Sequence, residues 1–306
     1  MTVTARASRN RSQPKSRAHS AKALIARIGK AFEGLPPEVK KAARYVTANP
    51  SEVAFRSMRS IASAAQVSPS TMVRFARALG LDGFDELRAA FQAQIHSDAH
   101  PFVSRAEALS RKAGDSTWGQ VHALMNEELA SIHAFVKTLD DRDLDRAERL
   151  LSKARRIYVM GLRGMHPAAF LFHYSVRMFC DKSELVDAAG GTYLDVLRNI
   201  AAPDVLLVFT CKPYPVEVVR ALDFAQKRKA RIIAVTDGTL SPAVRLATLA
   251  FVVHPTRSTL LSSATANVLV ARVLSAVLLA AVGPSSVDRV RAAERHFAAF
   301  DVYSDM

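Results

Sequence analysis

Ser68, Ser70 and Thr71 cluster around Pro69, and Arg74 and Arg77 follow three positions apart. Proline is tolerated in the first turn of a helix, and a serine just before it can accept from the free N–H groups there. A helix opening at Pro69 therefore carries small hydroxyl side chains at its N-terminal tip and two guanidinium groups on its outward side. Such a tip suits the major groove of duplex DNA, where short polar side chains reach base edges and arginines reach bases or phosphates. The helix N-terminus can itself donate N–H groups to a phosphate. The plain alternative is a generic helical hairpin with a solvated arginine face.

A second set of residues follows short apolar runs further along the chain. Gly161, Arg163, Gly164 and His166 come after the first run, Thr210, Lys212 and Tyr214 after a later one, and Thr236 after another; Ser262 lies beyond the last. Glycines, hydroxyls and two cations at strand ends suit an anion such as phosphate. Turn and cap chemistry places the same residue types in any strand-to-helix loop, and the residues by themselves lean toward that second account.

The elements that position both sets are legible as patterns. Ile61, Ala62 and Ala65 supply the apolar side of one short helix, Val67 and Ser68 a tight turn, and Met72, Val73, Phe75 or Ala76, and Leu79 the buried stripe of the next, which Gly80 ends. Pro36-Pro37-Glu38 and Pro50-Ser51-Glu52 read as further helix starts. The helical pattern lapses between Ile95 and Pro101. Helices resume over 102–153, one capped by Ser116 or Thr117 and carrying Val121, Leu124, Met125, Leu129, Ile132, Phe135 and Val136. That stretch suits a linker, a dimerisation helix or ordinary packing on the next domain.

After Arg155 the period changes. Apolar runs at 156–160, 184–186, 205–209, 231–235 and 249–253 alternate with helical stretches at about 166–181, 192–200, 215–229 and 241–247. Such alternation implies a parallel sheet covered on both faces. The expected fold class is α plus α/β: an all-helical helix-turn-helix domain, then a five-stranded parallel, doubly wound, flavodoxin-like sandwich. The expected divisions are a disordered basic arm over 1–20, the helical domain over 21–97, a helical linker over 98–150, the sandwich over 151–283 and a C-terminal helix or tail over 284–306.

Charge separates the two halves. The chain of 306 residues has a formal net charge of +14, and residues 1–99 hold 16 Lys and Arg against 7 Asp and Glu. Residues 1–30 hold eight Lys and Arg and no acid. The N-terminal third is thus the part that seeks an anionic partner. The two cysteines, Cys180 and Cys211, form no zinc or disulfide pattern. The apolar stretch 264–283 holds Asn267 and a central Arg272, so a buried helix is expected there and no membrane partner. Neither a cofactor nor a metal is expected.

Residues 28–95 resemble the N-terminal domain of RpiR-type (MurR/RpiR) regulators. Leu35-Pro36, Ile61-Ala62, Val67-Ser68-Pro-Ser-Thr71, Val73-Arg74-Phe75-Ala-Arg77-Ala-Leu79-Gly80 and Gly83-Phe84-Asp85-Glu86-Leu87 carry the likeness. Residues 150–282 are similar to the sugar isomerase (SIS) domain through 156–161, 204–209, 231–237 and Ser241-Pro242. The resemblance implies a cytoplasmic, nucleoid-associated bacterial transcription regulator. Its recognition helix would run from Pro69 to Leu79 on double-stranded operator DNA. Its SIS domain would sense a sugar phosphate or related metabolite and form homodimers or homotetramers.

The sequence departs from the SIS pattern in both phosphate loops. Met165 stands where the family places a phosphate-contacting serine. Thr210-Cys211-Lys212-Pro213-Tyr214-Pro215 replaces a loop usually rich in serine. Each lost hydrogen bond to a charged group is worth roughly 1.5–3 kcal/mol. Three outcomes stay open: Arg163 and Lys212 compensate, the ligand is not a sugar phosphate, or the domain only dimerises. The rival class is a sugar-phosphate isomerase, for which His166 and Glu217 are the only bases near the mouth. An appended helix-turn-helix argues against it, and no enzyme is expected.

Overall fold

The computed structural model describes residues 20–112, 114, 116–187 and 191–304, without the side chains of Lys22 and Asp98. The arm expected over 1–20 lies outside the described residues except for Ser20, and so do positions 188–190. The chain divides into two compact units, with the boundary between Ser104 and Arg105.

The first unit is all helical: α1 (Ala21–Ala31), α2 (Pro37–Ala48), α3 (Pro50–Phe55), α4 (Met58–Ala64), α5 (Pro69–Ala78) and α6 (Phe84–Ala99). Local chemistry sets the starts. Pro37, Pro50 and Pro69 take first-turn positions, and the hydroxyls of Ser20, Ser57 and Ser68 cap α1, α4 and α5. Leu24, Val46, Ile61, Met72, Phe75 and Leu87 meet in one core. α6 extends past the expected lapse at Ile95, and only His100 separates it from α7 (Pro101–Ser110). Pro101 forces that break, because a residue before proline is driven out of the helical region.

The second unit opens with the rest of α7, then α8 (Thr117–Thr138) and α9 (Asp141–Lys153). The sandwich follows: β1 (Ile157–Gly161), α10 (His166–Arg177), β2 (Ser183–Val186), α11 (Tyr193–Leu197), β3 (Val205–Phe209), α12 (Val216–Lys227), β4 (Arg231–Thr236), α13 (Pro242–Leu246), β5 (Leu249–Val252), α14 (Thr265–Val282) and α15 (Ser285–Ala299). All described strand pairs are parallel, in the order β2-β1-β3-β4-β5, the flavodoxin-like winding. Each expected strand is present to within a residue or two.

Both faces of the sheet are buried, as near-continuous apolar strands require. Ile157 and Val159 pack with Phe172, Val270 and Leu274 on one side; Tyr158 and Met160 pack with Leu197, Val218 and Leu222 on the other. α14 is long and apolar enough to cross a membrane by length and composition. Its Ala266, Val270, Leu274 and Leu278 instead lie in the first of these cores. Phe135 of α8 and Ala147 and Leu151 of α9 join that core. The stretch expected as a linker over 98–150 thus packs, in its second half, on the sandwich. The stripe foreseen on α8 divides: Phe135 is buried, while Val121, Met125, Leu129 and Val136 are exposed, as is Trp118 on the same helix.

Asp204 pins the amino edge of the sheet. It is fully buried, and it accepts from Arg155 Nε (2.9 Å) and Nη2 (2.8 Å) and from the N–H groups of Ala201 (2.8 Å) and Arg156 (3.2 Å). Burial alone would raise its carboxyl; these donors outweigh that and hold it below the usual carboxylate range. A group depressed in the folded state contributes stability that is complete above its unfolded value of about 3.9 and is lost as pH falls through the folded value. Asp204→Asn should therefore lower stability at pH 7 by roughly 1–3 kcal/mol and shrink the difference between pH 7 and pH 3, read by urea unfolding at each pH.

Candidate functional site

The first candidate surface is the tip of α5. Ala65, Gln66 and Val67 close the turn after α4, with Gln66 at φ +56° and the Val67 N–H donating to Ala62 O at 2.9 Å. Ser68 Oγ accepts from the Thr71 N–H at 3.2 Å and lies 2.8 Å from Ser70 Oγ. Met72, Phe75, Ala76 and Leu79 bed the inner face into the core; Ser68, Ser70, Arg74 and Arg77 are exposed.

Thr71 corrects the expectation. It is only 2% exposed, because it precedes Met72, Phe75 and Leu79 on the buried stripe. Its hydroxyl accepts from Arg74 Nη2 at 3.2 Å and lies 2.9 Å from Ser68 Oγ. Thr71 braces the tip from within. At the other end of α5, Arg27 donates to Leu79 O, beside Gly80 at φ +72°. One cation of the basic N-terminal stretch is therefore a helix cap.

The second candidate surface is the carboxyl end of the sheet. Gly161 ends β1 where a Cβ would stand 2.6 Å from Met165 O and 2.9 Å from the Ala169 Cβ, so no other residue fits without movement. Arg163 is exposed at φ +53°. A Cβ on Gly164 would lie 3.9 Å from Ser262 O, which sets the first loop beside the 258–264 loop. Met165 is buried in the core and offers no donor in place of the family serine. The His166 ring lies 6.0 Å from that of Phe170.

Asp237, just after β4, organises the centre of this end. Its side chain is 4% exposed. It accepts from Arg257 Nη2 (2.8 Å), from the Tyr214 hydroxyl (2.8 Å) and from the Lys212 N–H (3.1 Å). Burial and the bond to Asp237 push the Tyr214 phenol up to about 12. Thr236 is buried and donates to Ser241 Oγ at 2.7 Å, so its hydroxyl supports the α13 cap. Ser262 Oγ accepts from Arg105 Nη2 at 3.2 Å and is hydrogen-bonded to the Cys211 thiol. Burial pushes that thiol up. Among the described residues, the buried side-chain polar atoms with no partner are Thr210 Oγ1 and Asn267 Oδ1. Thr210 follows β3 and Asn267 sits in the first turn of α14, both at this end of the sheet.

Tyr214 and the Lys212 backbone thus meet on Asp237, with Thr210 close to them in sequence and Ser262 on Arg105; Thr236 serves the scaffold. Arg105, Asp237 and Arg257 were not singled out in the sequence. Asp237 and Arg257 fall at strand ends, where a partner search would have found them; nothing local marks Arg105.

A cavity of about 960 Å³ at the opposite, amino edge is lined by Arg155, Arg156, Lys182, Arg228 and Arg289. Each has a protein partner. Arg155 and Arg156 pair with Asp204 and Glu184, Arg289 pairs with Asp181, and Lys182 and Arg228 donate to Ser152 O and Ile200 O. These cations are accounted for by carboxylates and helix-end carbonyls.

Residues 22–98 match the helix-turn-helix domain of the rpiR family, and residues 150–282 match the SIS domain. The transcriptional regulator HexR of Pseudomonas aeruginosa is 28% identical over 234 residues, 74% of this chain and 78% of that protein. A Haemophilus influenzae protein described as an HTH-type transcriptional regulator is 23% identical, over 73% of this chain and 77% of its own. Among solved structures, Vibrio vulnificus NanR complexed with ManNAc-6P has a TM-score of 0.54 at 20% identity, over 90% of this chain and 98% of that one. The sugar isomerase domain of an RpiR transcription factor from Sphaerobacter thermophilus has a TM-score of 0.53 at 19% identity, over 57% of this chain and 97% of that one. At those identities the two structures bear on the fold alone. With both domains matched in order along one chain, the protein is an RpiR-family transcription regulator: a helix-turn-helix domain followed by an SIS domain.

Proposed function

We propose that the chain binds operator DNA through the tip of α5 and is modulated by an anionic, sugar-derived effector at the carboxyl end of its SIS sheet. The observation that carries the DNA reading is the division of α5 into a bedded face and a bare one. Ser68, Ser70, Arg74 and Arg77 are exposed together, on a helix whose other side is fixed by Met72 and Phe75. A recognition helix needs that rigidity, because base readout depends on placement.

The effector reading rests on Arg257 and the orphan hydroxyl of Thr210, with Lys212 two positions after Thr210 in the same loop. NanR was solved with a sugar phosphate, and a phosphate monoester suits cations and hydroxyls of this kind. Met165 removes one donor of the family's first loop, and Arg163, exposed on that loop, offers a charge in its place. The chain acts as a regulator without catalysis, in the cytoplasm; His166 packs by Phe170 and Glu217 lies in the first turn of α12. The exposed apolar stripe of α8 supports a homodimer or homotetramer, since contiguous apolar patches of this sort mark protein contacts.

Three measurements test these readings. Arg74→Ala should weaken specific operator binding by roughly 1–3 kcal/mol if it reads a base in bidentate fashion, whereas Thr71→Val should leave the selected base sequence unchanged and lower thermal stability; a changed base preference would return Thr71 to the readout. Removing residues 1–19 should flatten the salt dependence of binding, whose slope is about −0.9 per phosphate neutralised; an unchanged slope would show that the arm does not touch DNA. Leu129→Glu should lower the mass measured by light scattering after gel filtration, and an unchanged mass would clear α8 of any part in assembly.

A further inference from the structure

Arg105 occupies an unusual place in the chain. It is the first residue of the second unit and lies in the second turn of α7, the helix on which the chain passes from one unit to the other. Its guanidinium reaches more than 150 residues along the sequence, donating to Leu260 O (3.0 Å) and Ser262 Oγ (3.2 Å). Those acceptors belong to the loop between β5 and α14, at the carboxyl end of the sheet. Ser262 also holds the Cys211 thiol, and the field of Arg105 is felt at that thiol together with those of Arg257 and Asp237. Arg105 is therefore part of the wall of the site, alongside residues that follow β3, β4 and β5.

Arg105, on Leu260 O and Ser262 Oγ, and Arg257, on Asp237, are both bonded at this end of the sheet. Burial and the like charge of Arg257 both act against the charged form of Arg105. An anion placed between them would relieve that repulsion and add an ion pair to the hydrogen bond each guanidinium makes, which a neutral carbonyl or hydroxyl does not supply. Arg257 is anchored by Asp237. Arg105 is the one of the two carried on the helix that enters from the DNA-binding unit.

Resting on the effector reading above, we propose that Arg105 is the coupling residue: an anionic group entering the site draws its guanidinium from Leu260 O and Ser262 Oγ, and α7 transmits that exchange to the DNA-binding unit. An effector changes DNA affinity only through contacts that differ between the two states. Arg105 supplies such a contact on the element that joins the units. Its bonds to Leu260 O and Ser262 Oγ are the contacts that change.

The test uses the full chain, an operator selected from random duplexes, and glucose 6-phosphate, fructose 6-phosphate and N-acetylmannosamine 6-phosphate as probes. Melting temperature reports binding, and operator affinity with and without probe reports coupling. The wild type should melt higher with at least one probe and change operator affinity by roughly 5–150-fold, the usual range of coupling. In Arg105→Ala, with a wild-type circular dichroism spectrum, that probe should still raise the melting temperature while the change in operator affinity falls below about twofold on the same scale. Arg105→Lys, which keeps the charge and loses the fork, should fall between. Without probe, Arg105→Ala should already be displaced from wild-type operator affinity in the direction the probe drives. Full coupling in Arg105→Ala would overturn the assignment while leaving the effector reading intact. A wild type indifferent to every probe would overturn both.

Discussion

The five described strands all run the same way, so the segments that connect them must return in the opposite sense. That single constraint gives the two ends of the sandwich opposite electrical character. Helix N-termini, with unsatisfied N–H groups and partial positive charge, gather at the carboxyl end of the strands; helix C-termini, with unsatisfied carbonyls, gather at the amino end. The side chains follow. At the amino end Arg155 reaches Asn199 O, Arg228 reaches Ile200 O and Lys182 reaches Ser152 O. Cations there close helix ends. At the carboxyl end Asp237 gathers Arg257, Tyr214 and the Lys212 N–H, and buried polar atoms are left without partners. The cations that line the amino-end cavity are thus engaged by the protein itself.

The same reasoning applies to the helical unit at smaller scale. α5 is held at both ends by side chains rather than by its own sequence alone. Ser68 and Thr71 tie down its first turn, and Arg27, from α1, closes its last. A short helix is marginal by itself. Here caps and a buried stripe keep its polar tip in one position, which readout of base edges requires. Thr71 shows how narrow that division is, because one residue along the helix turns a hydroxyl from the surface into the core.

Met165 stands in the first loop of this end for reasons of packing. Met165 is buried with Ala168, Ala169 and Phe172, under the turn that Gly161 allows to approach β1. A serine there would lose that apolar contact. Polar capacity at this end is supplied instead from the loop after β5, where Arg257, Ser262 and Ser263 lie, and from α7 through Arg105. Glu128 of α8 accepts from Thr256 and Ser263, so the loop is tied to the helices that precede the sandwich.

Sequence alone determined what depends on neighbours a few positions away. The proline and serine helix starts, the turn before Pro69, the stripe of Met72, Phe75 and Leu79, and five apolar runs with helices between them are all local signals. Period and capping need only one helical turn or one strand to be read. Tertiary structure alone decided which hydroxyls remained available: Thr71 and Thr236 turned inward, and Ser262 met Arg105. It also decided that Arg257 joins Asp237 and that half of the supposed linker belongs to the core. Those outcomes depend on which residues of distant segments come within about 3 Å, the reach of a hydrogen bond, and no periodicity along a chain encodes a distance across it.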